Sequence, residues 1–356
     1  MKIFLRILSA ILCAGLIISM PFFLTSPELS GNLKMELMEG EMSEEENEGD
    51  EIDFGRLLFS SASAEELIVE TWDEGELHIE PEWALPLDFS VPPAPNQDCY
   101  TEDGYEDQSI RVKVETLDLN GVTVHTARVQ IADASQLRTA VAYDSLKNDR
   151  TMNLQPLARD NNAVIAMNGD LFCQLPEKKR FEYRMTQKIR SKTSNVKDTL
   201  IIDDKGDFHL FVRSKGLSDF ADELKKNGGK VVNAFMFGPA LVRDGELLSQ
   251  DKEYDYARKY KNPRSAIGQT GPLSYILVIV EGRGENGGVT HEELGQIMFD
   301  LGCIQAYNLD GGNTAEMIMF QESAPDGIKF HFKGDQTAGV RPQKDIIYFA
   351  TAVPEK

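Results

Sequence analysis

The chain has 356 residues and a formal net charge of −21, with 58 Asp and Glu residues against 37 Lys and Arg. This length allows one large domain or two modest ones. The acidic balance excludes nucleic acid and anionic membrane surfaces as partners, because both would repel the chain electrostatically.

Residues 1–27 are predicted to be a targeting or anchoring segment. Lys2 and Arg6 precede an uncharged, mostly apolar run at 7–27, which is long enough to span a bilayer as a helix. A basic start followed by an apolar run also begins a secretory signal peptide. No small-x-small cleavage site follows the run directly, which favours an uncleaved signal anchor over a cleaved signal. Either interpretation places the remainder outside the cytoplasm, anchored through this segment or secreted.

Two extended segments are predicted between this segment and the folded domain. Between Glu36 and Asp53 there are ten carboxylates and no Lys or Arg. Residues 28–63 therefore have too little apolar surface to fold, and we predict a disordered acidic linker. Residues 64–107 are acidic and proline-rich, which predicts an extended arm whose tryptophans, Trp72 and Trp83, pack onto the domain. The globular domain is predicted to cover residues 108–356.

Apolar patterning predicts that this domain is rich in strands. Strands at 110–114 and 121–131 form a hairpin through an Asn-Gly turn. Further strands are predicted at 163–167, 200–203, 208–212, 231–237, 275–281, 304–308, 317–320 and 345–350, and helices at 154–161, 217–227 and 291–301. The last helix begins with a capping box of Thr290 and Glu293 and ends at Gly302. Because strands and helices do not alternate strictly, we predict an α+β fold, with a mixed β-sheet core and a few flanking helices.

Three of the apolar strands end in small polar turns. The turns are Asn168-Gly169-Asp170, Gly238-Pro239, and Asn308-Leu309-Asp310-Gly311-Gly312. Glycine tolerates positive φ and lets another molecule approach the backbone, so these turns predict a single cleft lined from several parts of the chain. The alternative for any one of them is an ordinary tight turn, in which the Asn and Asp side chains cap their own backbone.

Six segments in this order resemble the phosphodiester glycosidase family, which includes the catalytic domain of the lysosomal uncovering enzyme. They are Ala166–Phe172, Phe237–Val242, Asn262–Gly268, Leu277–Arg283, Gly288–Thr290 with Glu293-Leu294, and Tyr307–Gly312. The resemblance extends from about residue 109 to about residue 351. It implies a bacterial surface member of the family that hydrolyses a sugar-1-phosphodiester at the glycosidic bond, with a cell-surface glycan or exopolysaccharide as substrate.

Site residues follow from this chemistry and from the strand ends. Glycoside cleavage generally uses two carboxyl groups, and the catalytic candidates are Asp310, Asp170 and Glu281. Phosphate is already a good leaving group, so a guanidinium that neutralises its charge contributes more than a strong acid. Arg264, which precedes a predicted short buried strand at Ser265–Gly268, is the first candidate for that role, with a structural salt bridge as the alternative. Arg283 is the second candidate. The other substrate-binding candidates are Asn168, Gly169, Gly238, Asn308, Gly311, Gly312 and Thr314.

No metal ligand set and no cofactor are identified, and the sequence leaves a divalent cation open. His291 begins a segment similar to a zinc helix, but Gly295 stands where the second His would be needed. The family commonly has Asp-Gly-Gly-Gly-Ser-Ser where this chain has Asp310-Gly311-Gly312-Asn313-Thr314-Ala315. That departure keeps open a non-catalytic extracellular glycan-binding module on the same fold. A structural surface protein, whose turns only look like a site, is a third possibility. The sugar, its anomeric configuration, the disulfide pairing and the oligomeric state stay open.

Overall fold

The computed structural model describes residues 77–119, 121–147, 149–170, 181–193, 197–250, 260–284 and 287–355, which all belong to one compact unit. The predicted anchor, the acidic linker and the first part of the arm with Trp72 lie outside the described residues. Within the described ranges, no helix is both long and apolar enough to cross a membrane.

Eighteen strands and three α-helices form the described part of the domain. The strands are β1 (Gly104–Glu106), β2 (Ile110–Leu119), β3 (Val122–Ile131), β4 (Leu137–Val141), β5 (Ile165–Asn168), β6 (Phe181–Arg184), β7 (Gln187–Ser191), β8 (Thr199–Asp203), β9 (Phe208–Phe211), β10 (Val231–Phe235), β11 (Ala240–Arg243), β12 (Glu246–Leu247), β13 (Arg264–Gly271), β14 (Ser274–Val280), β15 (Gln305–Asn308), β16 (Glu316–Phe320), β17 (Ile328–Lys333) and β18 (Asp345–Phe349). The helices are α1 (Leu154–Asp160), α2 (Leu217–Lys226) and α3 (His291–Asp300).

These strands form three sheets around a shared core. The main sheet has eight strands in the order β1-β2-β3-β14-β13-β15-β11-β12. The second sheet has the order β17-β16-β5-β18-β4, and the third has the order β7-β6-β10-β8-β9. Neighbouring strands pair antiparallel throughout the described ladders, and one isolated bridge, Gly282 with Asp335, is parallel.

Apolar side chains from the inner faces of all three sheets meet in one central cluster, and each helix covers an outer face. Successive side chains of β13 point to opposite faces of the main sheet. Ile267 lies in the central cluster, whereas Ala266 packs on the α3 side. Helix α1 covers the second sheet and α2 covers the third. Strand ends from different sheets therefore reach the same rim of the core.

The predicted α+β class is confirmed, and most predicted elements lie within a few residues of their observed bounds. The hairpin between β2 and β3 pairs Leu119 with Val122 as its last residues, as the Asn-Gly turn predicts. Helix α3 has both hydrogen bonds of the predicted capping box, and Gly302 has φ +85°. The short strands β1, β4, β6, β7, β11, β12 and β17 were not predicted.

The described part of the arm is fastened to the domain. Its end forms β1, which pairs with β2 at the edge of the main sheet, so the domain begins before residue 108. Farther upstream, Trp83 is half-buried. The buried guanidinium of Arg138 on β4 donates hydrogen bonds of 2.9, 2.7 and 3.0 Å to the arm carbonyl oxygens of Pro86, Asp88 and Ser90.

We expect Arg138→Met to loosen the arm and to lower the free energy of unfolding by about 3 kcal/mol, because a hydrogen bond from a charged donor contributes about 1.5–3 kcal/mol. The measurements are thermal unfolding and limited proteolysis between residues 77 and 95. Arg243→Met is the control, since the Arg243 side chain is 42% exposed. Equal protease sensitivity of the arm in both variants would contradict the anchoring role.

Candidate functional site

The turn around Asp310 lies where β15 leaves the main sheet. It continues through Gly311 into a short 3-10 turn at Gly312–Thr314. A side chain at Gly311 would lie 2.6 Å from the carbonyl oxygen of Pro263, and Gly312 has φ +62°. Both glycines are therefore required by the backbone, and the turn forms although Asn313 and Ala315 depart from the family's pattern.

Asp310 is paired with a guanidinium that the sequence did not single out. Nη2 of Arg341 donates to Oδ2 of Asp310 at 2.7 Å and to Oγ1 of Thr314 at 2.6 Å. Burial raises the pKa of Asp310 to about 6, although Arg341 and Thr314 favour the charged form, and the nearby charge of Asp170 raises it further. A carboxyl group that titrates close to neutral pH thus lies beside a cation whose side chain is 38% exposed.

Asp170 belongs to a buried ionic triad with Arg184 and Asp345, whose side chains are all 0% exposed. Arg184 donates from Nη2 to Oδ1 of Asp170 and from Nε to Oδ2 of Asp345, both at 2.7 Å. Burial raises the pKa of Asp345 to about 7, opposed by the charge of Arg184. Gly169 is required here, since a side chain at this position would lie 2.5 Å from the Asp345 carboxylate.

Asn168, two residues before Asp170, joins the end of β5 to the Asp310 turn. Its Nδ2 donates to the carbonyl oxygen of Asp310 at 2.7 Å and to Oγ of Ser265 at 3.1 Å. Ser265 in turn donates to the same carbonyl oxygen at 2.8 Å. The Asn168 amide therefore holds the ends of β5 and β15 together.

The third predicted strand end, after β10, meets the other two. Nδ2 of Asn308 donates to the carbonyl oxygen of Gly238 at 2.7 Å, and the backbone N–H of Met236 donates to Oδ2 of Asp170 at 3.1 Å. Oδ1 of Asn308 is buried and has no hydrogen-bond partner among the described residues. The structure thus brings together the three polar turns that the sequence placed in one cleft.

Arg264 points away from this cluster. Its neighbour on β13, Ser265, faces Asp310, so the Arg264 side chain extends on the opposite side of the strand toward α3. There its guanidinium donates to the carbonyl oxygens of Val289 at 3.0 Å and Tyr260 at 2.8 Å, and it lies 2.8 Å from Nε2 of His291. The alternation of side chains along β13 therefore directs Arg264 toward α3, where its guanidinium contacts protein groups. This position does not favour the phosphate-binding role predicted for Arg264.

Glu281 has a histidine as its hydrogen-bond partner. Its Oε1 lies 2.8 Å from Nε2 of His125, whose Nδ1 lies 2.8 Å from Oγ1 of Thr116. Within the described residues, no hydrogen bond joins Glu281 to Asp170 or Asp310. The structure therefore brings Asp170 and Asp310 together, and Glu281 is instead hydrogen-bonded to His125.

Arg283 lies against the Asp310 turn. Its Nη2 is 3.3 Å from the position that a side chain at Gly312 would occupy. Nη1 donates to Oδ2 of Asp335 at 2.9 Å, and the Arg283 side chain is 43% exposed. Arg283 and Arg341 thus supply two partly exposed guanidiniums beside one turn, a donor arrangement that suits phosphate oxygens.

Sequence reasoning missed Arg341, Arg184, Asp345 and Ser265. Asp345 could have been recognised, because it begins an otherwise apolar predicted strand. A carboxylate buried in such a strand requires a charged or hydrogen-bonding partner. Arg341 lies in a loop without such a pattern. Among the residues that the structure describes, no group of three or more His, Cys, Asp or Glu side chains is arranged to hold a metal ion.

Comparisons with known proteins agree with this architecture. The sequence model of the phosphodiester glycosidase family matches residues 161–350, more than half of the chain. An SPbeta prophage-derived uncharacterized protein of Bacillus subtilis (strain 168) is 30% identical over 113 residues, which are 31% of this chain and 17% of that protein. The chain therefore spans a small part of that relative.

Two solved structures are also similar. The catalytic domain of zebrafish N-acetylglucosamine-1-phosphodiester alpha-N-acetylglucosaminidase, auto-inhibited by its pro-peptide, has a TM-score of 0.51 and 14% identity, covering 77% of this chain and 100% of that chain. A hypothetical protein from Synechocystis has a TM-score of 0.45 and 15% identity, covering 68% and 62%. At such identities the zebrafish match shows the fold alone.

Proposed function

This chain belongs to the phosphodiester glycosidase family, and we propose that it hydrolyses the glycosidic bond of a sugar-1-phosphodiester in a cell-surface glycan or exopolysaccharide. We place this activity outside the cytoplasm, with the N-terminal segment as anchor or secretion signal. One observation carries the proposal: Asp310, a buried carboxyl with a pKa of about 6, is paired with the partly exposed guanidinium of Arg341.

In the proposed reaction, water attacks the anomeric carbon while the bond from that carbon to the phosphate oxygen breaks. Protonated Asp310 donates its proton to the departing oxygen, and the attacking water loses a proton to solvent. Arg341 and Arg283 bind the non-bridging phosphate oxygens and balance their charge. Asp170 acts through Asp310, because its own side chain is fully buried and paired with Arg184.

The test is incubation of the full chain with a panel of sugar-1-phosphodiesters, with release of free reducing sugar as the readout. Running the reaction in ¹⁸O-labelled water identifies the broken bond. Label in the sugar supports cleavage at the anomeric carbon, whereas label in the phosphate would replace the glycosidase with a phosphodiesterase. Saturable binding without sugar release would favour the glycan-binding module.

With an active substrate in hand, we expect Arg283→Gln to lower kcat/KM about 10- to 100-fold. Loss of one transition-state donor costs about 100- to 1,000-fold in a closed site, and Arg283 is only partly buried. Arg243→Gln removes the same charge on β11 and is expected to match wild type. Equal kinetics for the two variants would remove Arg283 from the phosphate site.

A further inference from the structure

Arg341 is positioned to change partners. Its backbone N–H donates to the carbonyl oxygen of Asn313 at 2.8 Å, which fixes its main chain beside the turn. Its Nη2 carries the contact to Asp310 and a second one to Thr314, and Nε donates to Thr314 at 3.1 Å. Its Nη1 has no hydrogen-bond partner among the described residues. The side chain is also partly exposed, so the guanidinium can meet a ligand from solvent.

We propose that a bound phosphodiester takes the Arg341 guanidinium from Asp310, and that Asp310 takes up a proton from solvent in exchange. The inference rests on the proposed function, in which Arg341 binds the scissile phosphate. The proton gained on binding is the one that leaves with the departing oxygen, so Asp310 returns to its charged form when the products leave and Arg341 pairs with it again.

The charges around Asp310 support this exchange. Arg341 is the cation that contacts the Asp310 carboxylate, and Asp170 is the anion that acts on it. The charge of Asp170 is met by Arg184, which Asp345 shares, and the charge of Arg283 is met by Asp335. Once Arg341 turns to phosphate, burial, the Asp170 charge and the added phosphate charge all favour protonation of Asp310.

The exchange also explains how the site would discriminate between substrates. A neutral glycoside has no anion that competes for Arg341, so Asp310 would stay ionised and paired at neutral pH. A phosphodiester carries a negative charge that binds the Arg341 guanidinium and thereby allows Asp310 to become protonated. Phosphodiesters are thus selected at the proton-transfer step as well as at binding.

The test is calorimetric titration of the full chain with dimethyl phosphate, whose single negative charge does not titrate between pH 5 and 9. Titrations at pH 7 in two buffers of different ionisation enthalpy report the proton change. We expect wild type to take up part of a proton and to bind more weakly as the pH rises above about 6, with a slope approaching about tenfold per pH unit. Asp310→Asn should bind without proton uptake and independently of pH.

Arg341→Gln should lose most of the affinity for dimethyl phosphate, and Arg243→Gln should keep it. Equal proton uptake by wild type and Asp310→Asn, unchanged binding by Arg341→Gln, or no binding to wild type at any pH would each overturn the exchange. Failure of the exchange is separable from failure of the function. Proton-coupled binding without hydrolysis of any sugar phosphodiester leaves the exchange standing, and hydrolysis without proton uptake on binding leaves the function standing.

Discussion

Asp310→Asn is expected to reduce the turnover of a sugar phosphodiester by about 100- to 10,000-fold, the usual contribution of a positioned proton donor. Asn has nearly the same shape and can still accept the hydrogen bond from Arg341, so the fold should be retained. The measurement is kcat on the best substrate from the panel, with Asp149→Asn as a control at an exposed aspartate. Wild-type turnover in Asp310→Asn would remove this carboxyl from the mechanism.

The same substitution should stabilise the protein at high pH. The folded-state pKa of Asp310 is raised from 3.8 to about 6, so its contribution to stability is fully present below pH 3.8 and is lost as the pH rises through 6. At pH 8 the ionised carboxyl costs about 3 kcal/mol relative to its protonated form, and Asn avoids that cost. Unfolding at pH 5 and pH 8 should show the advantage of the variant growing with pH. An equal difference at the two pH values would contradict the raised pKa.

Local patterns were sufficient to predict the strand ends that build the site. The turns after β5 and β15 consist of polar residues and glycines that follow short apolar runs. The end of a strand can be recognised from such a change in composition between neighbouring residues. The glycine requirements have partly non-local causes. Gly169 packs against Asp345 and Gly311 against Pro263, contacts that sequence alone does not show.

The ionic partners could not be predicted, because no local pattern links them. The pairs are separated by 14 residues for Asp170 and Arg184, 31 for Asp310 and Arg341, and 161 for Arg184 and Asp345. Arg264 shows a different limit of prediction from sequence. Its position at the start of a buried strand was readable, but the side of the strand that it faces depends on register, and a shift of one residue reverses the side. The guanidiniums beside the Asp310 turn are therefore those of Arg341 and Arg283, and not that of Arg264.

The β6–β7 hairpin shows how tertiary context overrides turn preference. Its two turn residues, Met185 and Thr186, have φ of 46° and 64°, values that favour glycine. Met185 is fully buried, and Oδ1 of Asn233 accepts its backbone N–H at 3.0 Å. Strand β6 ends at Arg184, immediately before this turn, so the turn sets the position of the guanidinium that bridges Asp170 and Asp345.

Arg184→Met is expected to cause the largest loss of stability, about 3–5 kcal/mol at pH 8, because removing one member of a buried ionic group leaves uncompensated charge. Arg243→Met is the control, since Arg243 and its partner Asp244 have side chains that are 42% and 77% exposed. Chemical denaturation of both variants gives the comparison. A loss in Arg184→Met no greater than that in Arg243→Met would contradict the role of the triad.

The pH dependence of this loss separates uncompensated charge from lost packing. The pKa of Asp345 is already raised to about 7, so without Arg184 the Asp345 carboxyl can become neutral by protonation. The loss in Arg184→Met should therefore be smaller at pH 5 than at pH 8. Adding Asp170→Asn and Asp345→Asn to the same chain should recover part of the stability at pH 8, since neutral side chains leave no buried charge to compensate. A loss that is the same at both pH values and is not relieved by the two Asn substitutions would mean that Arg184 stabilises the core by packing, for example against the Phe235 ring 4.0 Å away, and not by balancing charge.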